Sequence, residues 1–212
     1  MEPSPPGHYL LMLVWTRLFG SSLLALRLPS VLFGVGGIVL IWVIGMLESD
    51  RATALVAAAM LALNGHQVLY SQLSKMYIMA CFLGLLSTVL LILASRGGRL
   101  RWLFYIIYPL VTLLGLGTTI YAWPLLLTQL IWVVRLTWRQ SRLSDLLRLQ
   151  WLVIILGSPL VSLALFQSRR PSYVSPNPLP GLAGYVQFGF LFEPDPHVAG
   201  PGPVFIVMQL IF

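Results

Sequence analysis

Five stretches of this chain carry no Asp, Glu, Lys or Arg: Leu28 to Leu47, Ala52 to Ser74, Met76 to Ser95, Trp102 to Val134 and Leu149 to Ser168. Each is long enough to cross about 30 Å of hydrocarbon, which takes roughly 20 helical residues. Lipid offers the backbone no hydrogen-bond partner, so such runs fold as helices that pair their own N–H and C=O groups. The expectation is an all-α, polytopic transmembrane protein with about five or six crossings. Composition agrees, since 58% hydrophobic and 9% charged residues with a mean hydropathy of +0.88 lie far outside soluble domains.

The run from Trp102 to Val134 is too long for one comfortable span and short for two. Arg96, Arg99 and Arg101 precede it, and Arg135, Arg139, Arg142 and Arg148 follow it. Two short crossings or a re-entrant hairpin keep both basic clusters on the cytoplasmic side, as the positive-inside rule prefers. The turn is expected between Gly115 and Pro124, where Gly and Pro break the helix and Thr hydroxyls serve freed backbone groups. Arg17, Arg27, Lys75, Arg169 and Arg170 then share the outer face.

The net charge of +7 and pI near 10.1 come from arginines that flank apolar runs. They encode topology rather than an affinity for nucleic acid. The single cysteine, Cys81, lies inside a span, so no intrachain disulfide is expected. Met1-Glu-Pro-Ser-Pro-Pro lacks the basic start and apolar core of a signal peptide.

Residues 8–20 are apolar for too short a distance to span, and Gly20 closes them, so an N-terminal interfacial helix is expected there. It opens a transmembrane module over residues 1–170. Residues 171–203 hold eight prolines and read as an outer loop; residues 204–212 read as the start of a further, truncated transmembrane helix.

Between two of the spans stands Tyr70-Ser-Gln-Leu-Ser-Lys-Met-Tyr77. A lone Lys75 would serve as a snorkelling anchor. Tyr70, Gln72, Ser74 and Tyr77 surround it with hydroxyl and amide groups that an anchor does not need, and an ammonium among neutral donors suits the phosphate of a lipid head. Arg27 opens the first span from the same face, with Pro29 expected in the first helical turn. A second basic residue there strengthens a phosphate site.

These blocks carry a resemblance. Pro5-Pro-Gly-His-Tyr9, Trp15-Thr-Arg-Leu-Phe-Gly20, Ala25-Leu-Arg-Leu-Pro-Ser-Val-Leu-Phe-Gly34 and the Tyr70 to Tyr77 segment occur in this order. Together they resemble the GT-C membrane glycosyltransferases, in the glycosyltransferase family 39-like, or protein mannosyltransferase-like, branch. The resemblance covers residues 4–168. It implies an enzyme that moves a sugar from a polyprenyl-phosphate donor to a hydroxyl acceptor, usually with inversion, on the face outside the cytoplasm. It also points to a bacterial plasma membrane.

Carried over by residue, Lys75 stands where the family has arginine, and would bind donor phosphate with Arg27, Tyr77, Gln72 and Tyr70. Tyr9 and His66 would line the substrate. Leu73 replaces the family's glutamate, and Lys75 lacks the bidentate fork of arginine. The family's general base is expected upstream of Met1, which leaves Glu2 as a candidate in a terminal segment. Glu193 and Asp195, with His8, His66 or His197, could surround a divalent ion, although a solvated loop accounts for them as well. No other cofactor is implied, and the oligomeric state is not readable. The other readings are a non-catalytic scaffold or degenerate paralogue, and a transporter subunit. The transporter is opposed by the absence of charge within the spans.

Overall fold

A computed structural model describes residues 7–73, 75–119, 122–139 and 144–168, with side chains placed through residue 138 and from 144 to 160. Ser74, Glu2, Glu193, Asp195, His197, the Pro-rich segment and residues 204–212 lie outside the described residues. Within them the chain is all-helical: α1 (Gly7–Phe19), α2 (Leu23–Glu48), α3 (Arg51–Ala62), α4 (Gly65–Gln72), α5 (Met76–Arg96), α6 (Arg101–Leu116), α7 (Trp123–Arg139) and α8 (Ser144–Ser168).

By length and hydropathy, α2 and α5 can each cross a membrane, and α3 with α4 makes a third crossing if the bent pair counts as one. Among the described residues this measure gives two or three crossings and does not confirm the five or six expected from charge-free runs: breaks divide the runs 52–74 and 102–134, and α6 is a 16-residue helix.

The 52–74 run departs from a straight span. Asn64 stops α3 and restarts the chain as α4, its side chain accepting from Gln67 N at 3.0 Å, and the two helices meet at 57°. An amide that caps a helix from its own side chain competes with helix continuation. Gln67 then points back into the bundle and donates through Nε2 to Gly34 O at 3.1 Å, fastening α4 to α2.

Close helix contacts rest on small residues along α2. A Cβ at Gly45 would lie 2.5 Å from Ala54 Cα, and one at Gly34 would lie 2.7 Å from Ser71 Cβ. Small residues of this kind let membrane helices approach and gain dispersion contact. The second half of the bundle closes around Leu91, Ala94, Tyr108, Leu116, Val133, Leu146 and Val153, all essentially buried.

The break between α6 and α7 falls inside the expected turn. Thr118 Oγ1 donates to Gly115 O at 2.6 Å and satisfies a carbonyl at the end of α6. Pro124 takes the second position of α7, where its missing N–H costs nothing. Pro29, by contrast, lies inside α2, whose N-cap is Ser22. The expectation of a first-turn proline is therefore corrected: Ser22 caps through its side chain by accepting from Ala25 N, which starts the helix earlier. Pro29 has no N–H for Ala25 O, and Trp15 Nε1 of α1 donates to that carbonyl instead, at 2.8 Å.

The ends of the bundle are distinct. Arg96 at the end of α5 meets Glu48 at the end of α2, 3.6 Å apart. At the other end, Gly115 faces Leu83, Gly84 faces Leu125, and Gly7 N donates to Gly117 O at 2.9 Å. The start of α1 is thus docked on the α6–α7 turn.

Candidate functional site

The Tyr70 to Tyr77 segment forms the corner where α4 ends and α5 begins. Leu73 caps α4 in an extended conformation, and Lys75 N donates to Leu73 O at 2.8 Å, which turns the chain into α5. Lys75 is the N-cap residue of α5, extended at φ −118° and ψ 153°, with no side-chain cap and no acidic residue in the first turn. The first N–H groups of a helix have no intrahelical partner and carry partial positive charge. Here they stand beside an exposed ammonium. Among the described residues no carboxylate pairs with Lys75. An anion is the natural complement of such a corner.

Three aromatic rings run along the same corner. His66 and Tyr70, one turn apart on α4, have centroids 6.1 Å apart, and Tyr70 and Tyr77 pack across the corner at 5.0 Å. Gln72 is exposed on the last turn of α4. The structure therefore brings His66, Tyr70, Gln72, Lys75 and Tyr77 onto one corner.

Arg27 and Tyr9 are placed differently. Arg27 is exposed on α2, two turns before the Gly34–Ser71 contact, or about 10 Å along the axis. Tyr9 is exposed on α1, in edge contact with His8. His8 turns inward instead and is buried beside the turn that α1 docks on, and burial lowers its pKa by disfavouring the imidazolium.

The described acids stand far from this corner. Glu48 ends α2, Asp50 caps α3 through Thr53 N, and Asp145 begins α8, all at the opposite end of the bundle. Among the described residues no group of three His, Cys, Asp or Glu side chains could hold a metal ion.

Comparison with family models matches residues 3–165 to the family described as dolichyl-phosphate-mannose-protein mannosyltransferase. The chain belongs to that family. It is an integral membrane protein of a glycosyltransferase family, and the ordered blocks quoted above fall within the matched region. No curated protein and no solved structure matches the chain.

In this mannosyltransferase-family chain, charge counting passes over a second polar cluster. Tyr108 on α6 reaches Gln129 on α7 and Gln150 on α8, and Gln129 Nε2 donates to Ser87 Oγ and Thr88 Oγ1 on α5 at 2.9 and 3.1 Å. The signal was there in uncharged form: Ser87, Tyr108, Gln129 and Gln150 interrupt the apolar runs, and each is buried.

Proposed function

We infer that this chain works in a membrane glycosyltransferase that transfers a sugar from a polyprenyl-phosphate donor to a hydroxyl acceptor on a lipid, glycan or protein. One observation carries the reading: the uncapped, acid-free N-terminus of α5 with Lys75 at its N-cap. The donor phosphate sits against Lys75 and the first N–H groups of α5. Gln72, Tyr70 and Tyr77 add neutral donors, and Arg27 supplies a second positive charge along α2. His66 and Tyr9 lie toward the sugar and acceptor.

In the transfer, the acceptor hydroxyl attacks the anomeric carbon, the bond to phosphate breaks, and the hydroxyl proton passes to a base. Charge grows on the leaving phosphate, which this corner stabilises as a fixed electrostatic host. The base comes from outside the described residues, with Glu2 the nearest candidate by family pattern. The corner faces away from the cytoplasm of a bacterial plasma membrane.

A non-catalytic scaffold is the second reading, favoured by Leu73 standing where the family carries glutamate. The test is photolabelling in native membranes with a diazirine-bearing polyprenyl phosphate, mapped by peptide mass spectrometry and competed with polyprenyl-phosphate mannose. Adducts within residues 66–77 that the competitor removes are expected. Adducts only near Glu48 and Arg96 would overturn the site, and competed adducts without sugar turnover would favour the scaffold.

A further inference from the structure

The end of the bundle opposite Lys75 contains two cavities that share Trp132 among their described lining residues. A slot of about 250 Å³ opens between α2, α5 and α7, walled by Ile44, Leu91, Ile92 and Trp132 and floored by Thr88 and Gln129. A wider vestibule of about 600 Å³ lies beyond it, lined by Trp132, Arg135, Leu136 and Trp138. Trp132 lines both, which sets Arg135 about one turn of α7 beyond the slot.

We propose that this end binds one anionic glycerophospholipid, with its phosphate on Arg135 and one acyl chain in the slot. Charge complementarity selects the head. Arg135 is exposed, and among the described residues no carboxylate pairs with it. Glu48 stands at the mouth of the slot, but Arg96 beside it offsets its charge. Trp138 is 86% exposed one turn from Arg135, and Trp beside Arg is the pairing that seats at lipid headgroup depth.

Polarity and size select the tail. The slot is below the roughly 300 Å³ at which pockets for whole small molecules begin, so it suits a chain segment rather than a sugar or nucleotide. Its polar floor asks nothing of a ligand, because Gln129 already accepts from Tyr108 and donates to Ser87 and Thr88. From Thr128 to Arg135, α7 rises about 10 Å, which separates the tail site from the head site by a phospholipid's own offset.

The experiment is native mass spectrometry of the whole protein in mild detergent, with dioleoyl-phosphatidylglycerol or dioleoyl-phosphatidylcholine added at equal concentration. The wild type is expected to retain one phosphatidylglycerol and little phosphatidylcholine. Arg135→Gln should lower that retention about fivefold, Ile92→Trp should also lower it by filling the slot, and the exposed Arg99→Gln should leave it unchanged. Equal retention of both lipids, or equal loss in Arg135→Gln and Arg99→Gln, would overturn the proposal. Displacement of phosphatidylglycerol by an equal concentration of polyprenyl phosphate would also overturn it, by giving the slot to the donor.

Discussion

The hydroxyl of Tyr108 lies 2.8 Å from Oε1 of Gln150, and the same hydroxyl lies 2.9 Å from Oε1 of Gln129. A phenol has one hydrogen and cannot serve two carbonyl oxygens at once. Gln129 fixes its own orientation, since its Nε2 donates to Ser87 and Thr88. The chain of bonds is therefore complete when Gln150 turns its NH2 toward the phenol oxygen and Tyr108 donates to Gln129. Either way one half of the buried Gln150 amide has no partner among the described residues.

That asymmetry separates two substitutions. Tyr108→Phe strips the phenol link between Gln129 and Gln150 and leaves buried amide atoms unmatched, at a cost of about 1–2 kcal/mol. Gln150→Leu removes the half-satisfied amide and keeps the volume, so it should be near neutral. Thermal unfolding of both variants in the same detergent checks the order. A Tyr108→Phe protein as stable as wild type would show that the network contributes little.

Lys75→Ala should raise the KM for a polyprenyl-phosphate donor about tenfold, the scale of losing one charge-assisted contact. Arg17→Ala, exposed on α1, should leave it nearly unchanged. Lys75→Arg should retain most donor use, because position and charge persist. Kinetics in membranes decide between phosphate binding and anchoring: equal effects of Lys75→Ala and Arg17→Ala mean that Lys75 only anchors the corner.

His8 predicts a pH dependence. The unfolded imidazole titrates near 6.5, and burial lowers the folded value beneath it. Between the two, the unfolded chain binds the extra proton, so its contribution to stability is full above 6.5 and is lost as pH falls through the folded value. The docking of α1 on Gly117 should loosen on going from about pH 7.5 to about pH 5.5. A lower protection factor at the Gly7 amide, taken relative to the intrinsic exchange rate at each pH, is the expected readout, and His8→Phe should flatten its pH dependence relative to wild type.

Much of the helix order was legible in charge-free runs and in Gly and Pro, because desolvating a backbone allows few solutions. The break after Gly115 shows this, since Gly, Thr and Pro coincide there. The bend at Asn64 was less legible: an apolar run conceals a cap whose effect depends on Gln67 finding Gly34, distant in sequence. The Tyr108 cluster stayed hidden for the same reason, as nothing local at Gln150 shows that a phenol on α6 will meet it. At the site, Tyr70, Lys75 and Tyr77 were readable as one segment, whereas the inward turn of His8 beside an outward Tyr9 is decided by docking on Gly117.

Trp15 and Pro29 form a pair that can be tested as a cycle. Pro29 has no N–H, so Ala25 O loses its usual helical donor, and the Trp15 indole takes that place. Trp15→Phe keeps a large ring but orphans the carbonyl, and should cost about 1–2 kcal/mol. Pro29→Ala supplies the missing N–H to Ala25 O, so in that background the same Trp15→Phe change should cost about half as much. The difference is the coupling between the two residues, measured from four unfolding curves. Purely additive costs would mean that Trp15 holds α1 to α2 by ring packing alone, and that the carbonyl freed by Pro29 is served by something other than the indole.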